Sequence, residues 1–274
     1  MEAPVAVVTG ASRGAGKGIA LALGQAGMTV YVTGRSQAAG DSAYGGTIAE
    51  TARQIDEAGG HGIAVPVDHG NDAQVAELFE RIKREHGRLD LLVNNAANVL
   101  ASTANFWERP LETADLITVG LRSHYVASYY AAPLLIANGR GLIVNTGHYG
   151  AVSYHLGPAY GAQKAGADKL AGDMAKELRP FGVAAVSIWM GGLDTERVRA
   201  TLPVDQLAGR ETPQFTGRVI AALYASANLL SYSARTLIGA ELGAELGVTD
   251  VDGSQPTSAR DRLGAPPDPH PSLV

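Results

Sequence analysis

Short β-branched runs alternate with longer segments of helical period along most of this 274-residue chain, and that alternation leaves few folds open. Candidate strands are Val5 to Thr9, Thr29 to Thr33, Gly62 to Val67, Leu89 to Asn94, Leu142 to Asn145, Ala184 to Ile188 and Thr236 to Ile238. Several are apolar at consecutive positions, as strands covered on both faces must be. Helical period is clearest over Ala15 to Gln25, Ile48 to Ala58, Asp72 to His86, Leu121 to Ala137 and Pro158 to Leu178. Gly27, Gly59, Gly87 and Gly139 follow four of these, where a left-handed residue commonly ends a helix. The expectation is one α/β domain over residues 1–253, a doubly wound parallel sheet of about seven strands. Within it, Gly191 to Pro213 breaks the alternation and reads as a substrate lid. Residues 254–274 form a proline-rich tail, expected to be extended or partly ordered.

The first candidate strand runs into Thr9-Gly10-Ala11-Ser12-Arg13-Gly14-Ala15-Gly16-Lys17-Gly18 and then into a helix. Glycines there allow a tight turn and let backbone N–H groups approach a diphosphate, which also gains from the helix N-terminal partial charge. Gly10, Ser12, Arg13, Gly14, Ala15 and Gly16 are therefore candidate nucleotide contacts in a Rossmann-like fold. A magnesium–nucleoside triphosphate loop is disfavoured, because Ala11 and Gly18 stand where that motif needs glycine and a hydroxyl. After the second strand, a carboxylate would accept hydrogen bonds from the ribose of NAD. This chain has Gly34-Arg35. Arg35 and Arg13 together suit a 2′-phosphate, so NADP(H) is the expected cofactor and NAD(H) the second choice.

Composition narrows the chemistry. With 22 Lys+Arg against 27 Asp+Glu the net charge is −5 and no basic stripe is present, which argues against a nucleic-acid partner. Zero cysteines remove disulfides, thiolate metal sites and cysteine nucleophiles. No His-Glu-x-x-His or tight carboxylate–histidine cluster suggests a metal. Gly-x-Ser-x-Gly is absent around Ser153 and Ser187, so a hydrolase has little support. Neither a signal peptide nor a membrane span is suggested, and a cytoplasmic protein is expected.

Tyr160 and Lys164 are four residues apart in a helical segment and so share a face. An isolated phenol titrates at about 10, and a neighbouring ammonium is expected to lower that value and make it a usable acid/base. Taken with the glycine loop, Asp68 after the third strand, Asn94-Asn95-Ala96 after the fourth and Thr195 after the sixth, this pair makes the chain resemble the classical short-chain dehydrogenases/reductases. The resemblance runs to about Gly253. It implies that Asp68 and His69 lie at the adenine, Asn95 and Ala96 along the nicotinamide ribose, and Leu193 and Thr195 near the carboxamide. It also implies hydride transfer between nicotinamide and a carbonyl or alcohol, with Tyr160 exchanging the proton and Lys164 holding the ribose. Helices starting near Leu121 and Pro158 often pair between subunits in that family, which implies a homodimer or homotetramer.

Two expected members of the family's active-site tetrad are missing. The serine 13 residues before the tyrosine falls on Gly147, the asparagine on the helix after the fourth strand falls on Gly120, and Pro-Gly after the sixth strand reads Met190-Gly191. Loss of one oxyanion donor typically costs ~10²–10³ in rate unless something replaces it. Thr146, His148 and Ser153 are the candidate replacements, and His148 has the reach and a titration range suited to giving a proton. The alternatives are a substrate that brings its own polarity, a nucleotide-binding sensor or partner protein without turnover, or a cyclase or dehydratase. Tyr149, Tyr154, Trp107 and Trp189 are candidates for an apolar wall around a small-molecule substrate.

Overall fold

A computed structural model describes residues 2–98 and 104–273. Seven parallel strands lie in the order β3-β2-β1-β4-β5-β6-β7. The first half contributes β1 (Val5–Val8), α1 (Gly14–Gln25), β2 (Thr29–Gly34), α2 (Ile48–Glu57), β3 (His61–Pro66), α3 (Asp72–His86) and β4 (Leu91–Asn94). The second half contributes a single turn α4 (Asp115–Ile117), α5 (Ser123–Asn138), β5 (Gly141–Gly147), α6 (Pro158–Leu178), β6 (Val183–Trp189), α7 (Glu196–Thr201), α8 (Pro213–Ala225), β7 (Thr236–Ile238), α9 (Gly239–Glu245) and α10 (Arg260–Leu263). Strand order reverses between β1 and β4, and the crevice above such a switch point is where open parallel sheets bind ligands.

Alternation along the strands feeds two apolar layers. Ala6 and Val8 face Ile19, Leu23, Phe215 and Val219 of α1 and α8, while Val5 and Val7 face Val75, Phe79, Ile82 and Leu135 of α3 and α5. The seven candidate strands are all present, with β5 and β6 longer than expected. Gly27, Gly59, Gly87 and Gly139 all have positive φ, as their positions after helices suggested. A π-turn over Thr118–Arg122 precedes α5, where regular helix was expected from Leu121.

Helix α8 went unread in the sequence, although Pro213 at its start and the spacing of Phe215, Val219, Ile220 and Leu223 carry its signal. It closes the segment 191–213, which contains α7, a 3₁₀ turn at Val204–Gln206 and a backbone bridge from Leu193 to Glu211. The tail lies against the domain. Asp250 accepts the Thr212 N–H at 2.7 Å, Ser258 and Arg260 bond Glu241 of α9, and the Ala259 N–H donates to Tyr149 Oη at 3.1 Å. Leu273 packs on the α3–α5 layer. Among the described residues, no helix is long and apolar enough to cross a membrane.

Candidate functional site

A cavity of about 750 Å³ opens above the carboxyl ends of β1, β2, β4 and β5. Its floor is the turn after β1. Gly10 has φ +67°, and a Cβ there would stand 2.8 Å from the Ala96 Cα, so backbone meets backbone at that point. Thr9 Oγ1 accepts the N–H groups of Asn95 and Ala96, and the Asn95 amide donates to the Thr9 and Gly10 carbonyls at 2.8 and 3.1 Å. Asn95 and Ala96 thus brace the turn as well as line the cavity. Ser12, Arg13, Gly14, Ala15 and Gly16 line it too, with Arg13 as the residue preceding α1. The Gly14 N–H, at the start of that helix, donates to Glu196 Oε2 at 2.8 Å, so a carboxylate from α7 sits at its N-terminus.

Arg13 and Arg35 meet at the β2 end. The Arg13 guanidinium bonds Ser36 Oγ and the carbonyls of Gly45 and Gly46, and burial, with Arg35 adding to it, lowers its pKa against the pull of Glu196. Arg35 is exposed on the rim and reaches Asn98. Asp68 and His69 line the same region. Asp68 accepts the Gly70 N–H, while His69 is buried against Thr33 Oγ1 at 2.7 Å and is depressed by burial to about 4. Thr195 lines the cavity and caps α7, whereas Leu193 is spent on the bridge to Glu211.

Tyr160 and Lys164 face the other end of the cavity from α6. Lys164 Nζ donates to the Thr146 carbonyl at 2.8 Å and lies 5.7 Å from the Tyr160 ring centre. Burial depresses the lysine to about 8, with Asp168 pulling the other way. Burial also raises the Tyr160 phenol well above its ordinary value, contrary to the expected lowering by the ammonium. The lysine points to Thr146, and desolvation of the phenolate outweighs its attraction at that distance. His124 of α5 stands nearby, bonded to the Ala96 carbonyl and held near 3 by burial and by Lys164.

Strand geometry changes the meaning of Gly147. A Cβ at this position would run into the Trp189 indole and lie 2.6 Å from Ser187 Oγ, so residue 147 faces the interior of the sheet layer. Its neighbour His148 faces Tyr160, with ring centres 5.7 Å apart, and stacks beside His155 at 4.6 Å. Thr146 Oγ1 donates to the Asn94 carbonyl and Ser153 Oγ to the Tyr149 carbonyl, which commits both hydroxyls elsewhere. His148 Nδ1 accepts the Gly150 N–H at 2.9 Å, so the proton of the neutral ring sits on Nε2. Burial, then His155 and Lys164, depress His148 to about 3. It is a neutral hydrogen-bond donor at ordinary pH, which corrects the expectation of a titrating proton donor. Gly120 is likewise filled from outside: the Gln163 side chain occupies the space of a Cβ there, and its amide donates to the Gly120 carbonyl at 3.1 Å.

The aromatics divide. Trp189 and Tyr149 are buried against each other, 5.2 Å between ring centres. Trp107 and Tyr154 are exposed, and with Phe106, His155 and Pro158 they line a second cavity of about 370 Å³ that reaches Tyr160 through His155. Asp168, Glu196, Gln163 and Ser36 were missed as site residues. Only the place of Asp168, one helical turn past Lys164, was visible in the sequence. Among the described residues, no cluster of histidine and carboxylate side chains could hold a metal ion.

Against known proteins, a family described as short chain dehydrogenase matches residues 4–204. The chain is 40% identical over 273 residues to dehydrogenase/reductase SDR family member 1 of Mus musculus, covering 92% of this chain and 85% of that one. It is 29% identical to 1-cyclohexenylcarbonyl-CoA reductase of Streptomyces collinus, covering 97% and 94%. A solved structure from Xanthomonas campestris superposes with a TM-score of 0.81 at 26% identity, covering 92% of this chain and 93% of that one.

Proposed function

Since the chain belongs to the short-chain dehydrogenase/reductase family of oxidoreductases, whose members use NAD(H) or NADP(H), we propose that it reduces a carbonyl on an apolar small molecule, or oxidises the matching alcohol, with NADP(H). One observation carries the reading: a single cavity joins the α1 N-terminus and the Arg13–Arg35 pair to Tyr160 and Lys164. The residues present fit a dinucleotide. Gly10 lets the turn after β1 close against Ala96 at the floor of the cavity, and the Gly14 N–H already holds an anionic oxygen. Two guanidiniums near enough to influence each other, Arg13 also bonded to Ser36, suit a further phosphate. Asp68, His69, Asn95, Ala96 and Thr195 complete the cradle.

A bound nicotinamide would supply the hydride. The chain's own residues do the rest. Tyr160 Oη, with no bond to another described side chain, gives a proton to the substrate oxygen in reduction and takes it back in oxidation. Its high pKa favours the protonated donor. Lys164 supplies positive charge beside that phenol, and His148 Nε2–H donates to the same oxygen in place of the missing serine. The aromatic cavity of Trp107, Phe106 and Tyr154 offers an apolar surface near the reaction end and suits an apolar, ring-sized substrate. Exposed Tyr125 and Tyr129 on α5 support pairing of subunits through that helix as a homodimer or homotetramer.

NADPH mixed with a panel of cyclic and aromatic ketones, aldehydes and enones should lose nicotinamide absorbance. Tyr160→Phe should cut turnover by ~10³-fold while leaving NADPH affinity nearly unchanged. A Tyr160→Phe enzyme that keeps full turnover would end the proton-transfer assignment.

A further inference from the structure

Lys164 is buried, and among the described residues its one hydrogen bond is to a neutral carbonyl, that of Thr146. An ammonium taken out of water needs an opposite charge close by, or it sheds its proton. The groups facing it are few. Tyr160 on α6 is a neutral phenol, His124 on α5 and His148 after β5 are neutral imidazoles, and β5 offers the Thr146 carbonyl. The remaining group is Asp168, the next residue along the same face of α6. Its carboxylate is fixed from the sheet side: Ser187 Oγ donates to Oδ1 at 2.5 Å and Trp189 Nε1 to Oδ2 at 2.9 Å. Those donors are two residues apart on β6 and therefore share a face. The Trp189 indole reaches Asp168 across the space that any side chain at residue 147 would fill.

We propose that Asp168 is a positioning residue that keeps Lys164 charged: anchored to β6 by Ser187 and Trp189, it is the counter-ion of the buried ammonium and acts on it through space. The glycine at 147 then has a purpose, since it leaves room for the indole that orients Asp168. The proposal rests on the roles given above to Tyr160 and Lys164. Burial raises the Asp168 carboxyl to about 6 against the opposing pull of Ser187, Trp189 and Lys164, and burial lowers Lys164 to about 8 against the opposing pull of Asp168, so each group favours the charged form of the other.

The chain has five lysines, Lys17, Lys83, Lys164, Lys169 and Lys176, so lysine labelled with ¹³C at Cε gives a short NMR spectrum. Lys164→Met assigns the signal of interest. In the cofactor-free protein that signal should titrate well below the other four. Asp168→Asn should lower its midpoint by about one further pH unit, while Ser187→Ala, which removes a hydrogen bond and keeps the charge, should move it far less. A folded Asp168→Asn protein with an unmoved Lys164 midpoint overturns the proposal. If Asp168→Asn does not fold, the Asp168 carboxyl carbon decides: removing the ammonium by Lys164→Met should raise its midpoint, and no change overturns the proposal equally. Neither measurement needs turnover, so loss of the reductase reading and loss of this one are separable. In active enzyme, Asp168→Asn should also move the alkaline fall of kcat/KM to lower pH.

Discussion

At the nucleotide end of the cavity a backbone turn carries Arg13 and is edged by Arg35, whereas the reaction end is built from side chains brought from several elements. Gly10, the Thr9–Asn95 brace and the start of α1 form the first region, in which the turn after β1 is local in the chain and is held against the end of β4. Tyr160, Lys164, His148, Asp168 and Trp189 form the second, and they come from α6, the loop after β5 and the end of β6. A backbone site tolerates little substitution but is fixed by local spacing. A side-chain site can exchange its parts, because a small residue at one position makes room for a large one arriving from elsewhere.

That contrast is open to attack at both ends. After the Tyr160→Phe loss given above, the largest effect is expected at His148: replacing it with Ala should lower kcat by ~10²-fold, measured as NADPH oxidation, if its Nε2–H replaces the serine hydroxyl. Because burial holds His148 far below its ordinary value, replacing it with Gln should remove no inflection near pH 6.5 from the wild-type profile. The fall should come on the alkaline side instead. Lys164 is an ammonium below its folded value of about 8 and loses its proton above it. At the other end, Arg35→Asp should weaken NADPH binding by roughly 10–100-fold, the worth of a charge-assisted phosphate contact, and leave NADH binding little changed. Equal losses by titration calorimetry would remove Arg35 from the 2′-phosphate.

Gly147→Ser tests the exchange of parts directly. The new side chain would meet the buried Trp189 ring, so urea unfolding should show a loss of ~1–3 kcal/mol, and ketone turnover should not improve. A stable, faster Gly147→Ser enzyme would mean that residue 147 does face the substrate. The smallest effect belongs to Glu196, whose carboxylate occupies the Gly14 N–H. Glu196→Gln should tighten NADPH binding a few-fold by weakening that competitor at the α1 N-terminus, read by nicotinamide fluorescence.

The strand and helix succession was legible because burial on both faces leaves unbroken apolar runs, and because glycines mark the helix ends. The glycine loop, Asp68, Asn95, Tyr160 and Lys164 were legible because fixed spacing places each at a strand end or on one helix face. The serine position falls on Gly147, but which way a side chain there would point was not legible. Counting back from Tyr160 gives a position, but the pleat decides which side of the strand it faces, and one residue moves a side chain to the opposite side. The partners of Gly120 and Gly147 were hidden for a related reason. Gln163 and Trp189 are 43 and 42 residues away in the chain and meet those glycines only through packing. The direction of the Tyr160 shift was lost because burial cannot be weighed against charge before the cavity is known.

The tail's grip on Tyr149 bears on how this enzyme could be redesigned. The loop carrying His148 and His155 is seated on Trp189 from one side and pinned from the other by the Ala259 N–H and Leu263. Grafting residues 148–157 from a relative would transplant a surface whose strap is encoded a hundred residues later. New specificity therefore has to be exchanged as a pair of distant segments, loop and terminus together, or the donor loop will arrive without the clamp that shapes it.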